Sequence, residues 1–360
     1  MVAYASPVYP GGDMGHEIVA RVFDPDGLEV SPEQIVNTTL ESGQTTPAVA
    51  GSADGFVVAW NSDGQDGEVD GIFARRFDDL GEPQGDEFGV NLTTQGYQRQ
   101  PAVAMAADGT AVFAWNAQGT PSQVALRVFA PNGVATGELT VNKASPPGPQ
   151  DHPAVAVVPF ATQAVVVWQS QGEDEGGYGI VAQKVGFDGT KVGPQVRINA
   201  TGASDQRNPT VAVSQSGYFV ACWESVGQGP GGALAVVCQR MKTSTMTPQG
   251  GEYLPFAFAA DQSTPVARYL SSGRLAVAWA GLGLDQQGQA VQLARVNDVG
   301  SEVAPRIVAN RFGANDQYRP FLVASDDRLF VGWQSNGQAG PVGGDIYFRI
   351  IPDRPVILGT

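Results

Sequence analysis

Short apolar runs, each closed by a turn rich in Gly, Pro or Asp, recur along the whole chain. Residues 47–50 (PAVA) lead through the turn Ala53-Asp54-Gly55 into 56–60 (FVVAW). The Gly-rich segment 61–71 then leads into 72–77 (IFARRF), and a turn through 78–85 leads into 87–91 (EFGVN). Runs of β-branched and aromatic residues bounded by turn residues predict antiparallel strands. They are too short and too interrupted for a helix, which needs roughly 10 residues or more of 3.6-residue periodicity. The stretch therefore reads as four strands, A to D, and no helix is predicted. Strand B is apolar at consecutive positions, which predicts burial on both faces.

This four-strand unit repeats. Trp60, Trp115, Trp168, Trp223, Trp279 and Trp333 close strand B at gaps of 55, 53, 55, 56 and 54 residues, and they are all the tryptophans of the chain. Ahead of each stands a proline (Pro47, Pro101, Pro153, Pro209, Pro265, Pro320), and three residues before each proline a glutamine (Gln44, Gln98, Gln150, Gln206, Gln262, Gln317). A fixed period of about 50 residues filled with short strands is the signature of propeller blades. Strand C adds a seventh copy, because Arg21, Arg76, Arg127, Lys184, Arg240, Arg295 and Arg349 stand at what reads as one repeat position. Arg21 belongs to an N-terminal unit in which 1–6 (MVAYAS) reads as strand B with Tyr4 in place of Trp, 16–23 as strand C and 34–37 as strand D. The expectation is an all-β fold, a seven-bladed β-propeller of four-stranded antiparallel blades. It forms one domain over 1–360, with units at 1–46, 47–100, 101–152, 153–208, 209–264, 265–319 and 320–360 and the first and last blades incomplete or shared. In the tail, 354–358 (RPVIL) resembles the start of a strand A, but only 351–353 separate it from strand C. A shortened strand D fits that spacing better.

Charge and cysteine content narrow the setting. A formal net charge of −15 disfavours nucleic acid and anionic membrane surfaces as partners. No run approaches the roughly 18 apolar residues of a membrane span, and Met1 does not open a signal peptide. The two cysteines, Cys222 on strand B and Cys238 on strand C, face each other if the connecting turn centres on Pro230. A cross-strand disulfide is then allowed, and would favour an extracytoplasmic site; two small buried apolar side chains are the alternative.

The repeat, written Gln-x-x-Pro-Ala-Val-Ala, Asp-Gly-x-x-Val-Val-x-Trp, Gly-Ile-x-Ala-x-Arg-Phe-Asp and Glu-Phe-x-Val-Asn, resembles those of large secreted and cell-surface bacterial proteins, adhesin-like chains among them. That resemblance implies an extracellular or cell-surface β-propeller used for binding, adhesion or structure. Histidine is nearly absent, His16 and His152 lie in different units, and no zinc-ligand spacing occurs. The expectation is therefore a non-catalytic propeller that recognises a glycan or an envelope protein, with self-association into a surface structure and a secreted hydrolase or lyase acting on polysaccharide as alternatives.

Up-and-down topology puts the B–C and D–A loops on one face, the candidate binding face. Recurring residues are explained by the blade, so the departures are the candidates: Tyr97, Arg99, His152, the segment 173–178 ending in Tyr178, Tyr318 and Arg319. Aromatic rings beside polar groups suit sugar or protein recognition. In the B–C loop of the second unit, Asp66, Glu68 and Asp70 alternate before Gly71, the spacing of a calcium loop, so calcium is the candidate ion there. Glu173-Asp174-Glu175 is acidic without that alternation. The Asn-x-Thr sequons at Asn37, Asn91 and Asn199 share one repeat position with Asn142 and Asn310, which position in the blade explains better than glycosylation. The recurring glutamines and the basic residues are read as groups that bind backbone between blades.

Overall fold

The computed structural model describes residues 1–7, 15–143, 148–173, 176–202, 204–282, 288–297, 300–311, 316–325, 328–336 and 344–353. Asp174, Glu175 and the tail 354–358 lie outside them. Seven antiparallel sheets follow one another along the chain, each strand paired with its neighbours in sequence, which makes it a seven-bladed β-propeller. Five sheets have four strands, as in Gln44–Ser52, Gly55–Asp63, Asp70–Phe77 and Phe88–Gly89. The first sheet has three, Val2–Pro7, His16–Phe23 and Glu29–Ile35, in which Tyr4 stands opposite Val19; the last also has three, Gln317–Ser325, Arg328–Asn336 and Gly344–Pro352. The one helical element among the described residues is a short 3₁₀ turn, Pro230–Gly232. The chain divides into two compact units, 1–171 with 181–196, and 172–180 with 197–360.

Strand A starts three residues before its proline, at the glutamine, and the proline shapes it. Proline cannot donate to a sheet ladder, so within a sheet it sits at an edge or a bulge. Thr45 faces Asn61 and Ala48 faces Ala59, so Thr46 and Pro47 together oppose Trp60. The same slip recurs in the other five blades that carry the motif. The residue before each proline absorbs it in the left-handed region, with φ between 48° and 55° at Thr46, Gln100, His152, Asn208, Thr264 and Arg319.

Opposite this bulge the tryptophans are buried, five of them at 0% exposure and Trp333 at 4%. Trp115, for example, packs among Val57, Ile72, Ala74 and Phe113, residues of its own and the preceding blade. Its indole N–H donates to Gln98 Oε1 at 2.9 Å; Trp168 does the same to Gln150 at 2.9 Å and Trp223 to Gln206 at 2.6 Å. The amide nitrogens of these glutamines hold the preceding D–A loop by donating to the carbonyls of Gln95, Gly148 and Ser204. In these three blades the glutamine thus caps a backbone carbonyl of the loop between blades and also ties that loop to its own blade's tryptophan. The other three blades lack the bond: the indole nitrogens of Trp60, Trp279 and Trp333 have no hydrogen-bond partner among the described residues, and Gln262 Oε1 accepts from Val236 N of the preceding blade.

Other groups also make contacts between blades. Glu87 accepts from Thr38 N, Thr39 N, Thr39 Oγ1 and Gln65 Nε2, and Glu252 repeats the arrangement with Ala200 N, Thr201 N, Thr201 Oγ1 and Gln228 Nε2. The sequon asparagines are buried, and Asn37, Asn91 and Asn199 accept from Ile18 N, Ile72 N and Ile180 N at 2.8 Å each, so their amides latch strand D to the start of strand C. The basic residues do not occupy one place. Counted from the residue facing the strand B tryptophan, or Tyr4, Arg21, Arg127 and Arg349 stand two positions on, and Arg76, Arg240 and Arg295 three. A slip of one residue turns a side chain to the opposite face. Accordingly Arg127 and Arg349 bond carbonyls of the preceding blade (Val90; Val308 and Ala309), whereas Arg76 and Arg295 bond those of the following one (Gly109, Phe129 and Ala130; Pro352). Cys222 and Cys238 face each other in register and form the disulfide.

Truncating Trp168 to Ala empties a site with no exposed surface, and is expected to cost about 3–5 kcal/mol in denaturant unfolding. An unchanged midpoint would mean that the ring is not a core residue. Burial alone would raise the Glu87 carboxyl, but the bonds from Thr39, Thr38 and Gln65 outweigh it and hold the group below the usual carboxylate range. A depressed folded-state pKa gives stability that is present above the unfolded value of about 4.3 and is lost as pH falls through the folded one. Glu87→Gln should therefore lower the melting temperature at neutral pH and converge on the wild type in strong acid. A difference that does not shrink with acid would contradict the linkage.

Candidate functional site

The loop face is organised by a second recurring contact, between the residue after each tryptophan and the left-handed residues of strand A. In the first unit Asn61 Oδ1 accepts from Thr46 Oγ1 at 2.7 Å in its own blade and from Gln100 N at 3.1 Å in the next. The geometry asks for one acceptor oxygen at this place. An amide stands at this place in four of the six blades that carry the tryptophan, as Asn61, Asn116, Gln169 and Gln334, and Ala280 stands in a fifth.

The sixth is Glu224, in the second unit. Its Oε1 accepts from Thr264 N at 2.6 Å and its Oε2 from Asn208 Nδ2 at 2.8 Å, so the carboxylate keeps the architectural bonds and adds an ionisable group, 9% exposed, that the blade does not require. Arg207 stands directly across the strand pair from Glu224, which places their Cβ atoms on one face about 5 Å apart. The Arg207 guanidinium lies over the Tyr178 ring, 4.8 Å from its centroid, and pairs with Asp205 at 2.6 Å. Asp205 also accepts from Tyr178 N at 3.0 Å, as Asp261 does from Leu234 N and Asp316 from Gln289 N. Its position is thus architectural, and Glu224 is the acid that is not.

The first unit carries the same trio with two members exchanged. Arg99 lies over the Tyr97 ring at 4.9 Å and pairs with Asp70 at 2.5 Å. Here the tyrosine precedes the recurring glutamine and the aspartate opens strand C; in the second unit the aspartate precedes the glutamine and Tyr178 opens strand C. The exchange preserves the cluster, a cation held between a ring and a carboxylate. Next to it, His152 Nδ1 lies 2.9 Å from Asp151 Oδ1, and His152 Nε2 lies 3.1 Å from Gln100 Nε2.

Of the residues singled out in the sequence, the structure brings Tyr97 together with Arg99, and Tyr178 with Arg207 and Asp205, and sets His152 against Asp151 and Gln100. Tyr318 donates to Asn336 Oδ1 at 3.1 Å, and Arg319 is an exposed left-handed residue. The acids considered for calcium take separate partners. Asp66 accepts from Asn91 Nδ2 and from Glu68 N, and Asp70 pairs with Arg99. Among the described residues no three His, Cys, Asp or Glu side chains converge on a metal position. The recurring glutamines are buried, 0–2% exposed. Glu224 is not among the residues that the repeat departures single out. Its signal was the column after the tryptophan, where one acid stands among amides.

No family model matches the chain, and no curated protein matches it. Solved structures do. A protein of unknown function from Dyadobacter fermentans superposes with a TM-score of 0.60 at 13% identity, over 86% of this chain and 95% of its own. An α-L-arabinofuranosidase from Fusarium graminearum gives 0.57 at 12% identity, over 86% and 93%. A polysaccharide lyase, an ulvan lyase, gives 0.54 at 11% identity, over 81% and 77%. At these identities the shared property is the propeller fold. The expectation of a non-catalytic propeller is nevertheless corrected, because carbohydrate-cleaving enzymes stand among the structures that share this architecture. That expectation leaned on scarce histidine, and glycoside cleavage is carried by carboxylates. What the comparisons establish is similarity in fold to propellers that include a glycosidase and a polysaccharide lyase.

Proposed function

We propose that this chain is a secreted, carbohydrate-active propeller that cleaves a polysaccharide at its loop face, with Glu224 as the group that donates or accepts the proton. Glu224 carries the reading by its place in the repeat, since amides stand there in four other blades and Asn61 accepts from the next blade's left-handed residue as Glu224 does. A buried carboxylate fixed by two donors, beside an arginine and a tyrosine ring, is the equipment that acid–base cleavage of a glycosidic bond uses. Tyr97 under Arg99 and Tyr178 under Arg207 present rings on which sugar units stack, and the arginines suit acidic sugars. The arabinofuranosidase and the ulvan lyase support the substrate class. The buried disulfide supports an oxidising compartment, and no helix among the described residues is long and apolar enough to cross a membrane.

Incubation with arabinan, arabino-oligosaccharides and ulvan, read as reducing ends and as unsaturated uronate, tests the reading. Glu224→Gln keeps an oxygen for Thr264 N, so the fold and melting temperature should persist while turnover falls by about 100-fold or more. Full activity in that variant removes Glu224 from the chemistry, and no cleavage by the wild type across the panel overturns the function.

A further inference from the structure

The blade does not require an arginine at the second position of strand A, where Thr45, Asp151, Ser263 and Tyr318 stand in four of the six blades that carry the motif. Arginine stands there twice, as Arg99 and Arg207, with side chains 50% and 48% exposed. Each lies over a tyrosine ring and pairs with one aspartate through a single nitrogen, Nε in Arg99 and Nη2 in Arg207. By contrast Arg76, Arg127, Arg295 and Arg349 give their guanidinium groups to backbone carbonyls. Two blades thus reach one clamp from exchanged positions of tyrosine and aspartate, and what they share is a fixed guanidinium with N–H groups open to solvent. Arg207 has a further neighbour. It stands directly across the strand pair from Glu224, yet the two opposite charges do not pair: the guanidinium turns to Tyr178 and Asp205, and Thr264 N and Asn208 Nδ2 hold the Glu224 carboxylate. Arg207 Nε and Nη1 make no hydrogen bond with a described residue.

We propose that Arg207 binds the carboxylate of a uronate unit, so that the polysaccharide cleaved beside Glu224 is an acidic one. The planar guanidinium matches a carboxylate in shape and offers it several N–H groups at once. Ring and aspartate already fix the side chain, so little rotamer freedom is lost when the ligand arrives. The two neighbouring acids do not use up the cation. Asp205 takes one of its nitrogens and also accepts from Tyr178 N, while Glu224 takes none and draws on Thr264 and Asn208. The net charge of −15 opposes a polyanion mainly at long range, and screening over about 8 Å at physiological ionic strength leaves recognition to the groups in contact. The proposal rests on the polysaccharide reading and adds the charge of the sugar unit and the residue that reads it.

Affinity electrophoresis at physiological ionic strength tests it, in gels containing ulvan or polygalacturonate, each also in a carboxyl-reduced form whose uronate carboxylates have become primary alcohols. Glu224→Gln serves as the parent, so that the polymer is not consumed. At least one native polymer should retard the parent, and its reduced form should do so about tenfold less strongly, the loss of hydrogen bonds between charged groups. Arg207→Gln in the same background should lose that preference, binding native and reduced forms alike, while it melts with the parent, because the side chain it shortens is half-exposed. Equal retardation of the parent by native and reduced forms overturns the uronate site, and so does a preference that Arg207→Gln keeps. An Arg207→Gln variant that binds both forms less well by the same factor assigns the arginine to support of the loop and overturns the site too. A parent that neither native polymer retards also overturns it. In each of these cases cleavage of arabinan by the wild type leaves the polysaccharide reading standing, and absence of cleavage across the earlier panel overturns that reading separately.

Discussion

The fold turns on a proline set opposite a tryptophan. Proline at the fourth position of strand A cannot donate to the ladder, so the strand bulges, and two residues face the one tryptophan of strand B. That bulge throws the residue before the proline into a left-handed conformation, and in three blades the glutamine at the start of the strand accepts from the indole nitrogen. The tryptophan fills the space between blades, and at Trp115, Trp168 and Trp223 the glutamine fastens the entering loop to it. Burial, bulge and loop are consequences of one local arrangement, repeated with a period near 55 residues.

Because that arrangement consumes the recurring residues, chemistry is left to the exceptions. The left-handed residue varies from blade to blade, as threonine, glutamine, histidine, asparagine, threonine and arginine. So does the residue after the tryptophan, where a carboxylate takes a place that amides fill in four blades. The exchange of tyrosine and aspartate around Arg99 and Arg207 shows the same separation, since the backbone tolerates either residue at either place while the cluster persists. A repeat array divides labour in this way: the blade sets where the side chains stand, and each blade supplies its own.

Blade number, strand order and the burial of the tryptophans were legible in the sequence, because they follow from spacing and from the unbroken apolar runs of strand B. The facing cysteines were legible for the same reason, as hairpin register follows from the position of the turn. What the spacing hid was register at the level of one residue. Arg76 and Arg127 look equivalent in the aligned repeats, yet they point to opposite faces and clasp different blades. The glutamines were legible as structural but not as partners of the indoles, since a bulge brings together residues that a regular ladder would keep apart. Glu224 was lost among 36 acids until the structure showed what its neighbours in the repeat do.

Where the glutamine–indole bond forms, at Trp115, Trp168 and Trp223, it ties the loop entering the bulged strand to the core between blades. Hydrogen exchange at the tryptophan indole nitrogens, followed by NMR on protein carrying isotope-labelled tryptophan, reports on that bond directly. The account predicts that the indoles of Trp115, Trp168 and Trp223 exchange only as fast as the unit that holds them opens as a whole, in step with the core amides of strand B. Indole protons that exchange at the rate of the neighbouring loop amides, while the strand B amides stay protected, would contradict it.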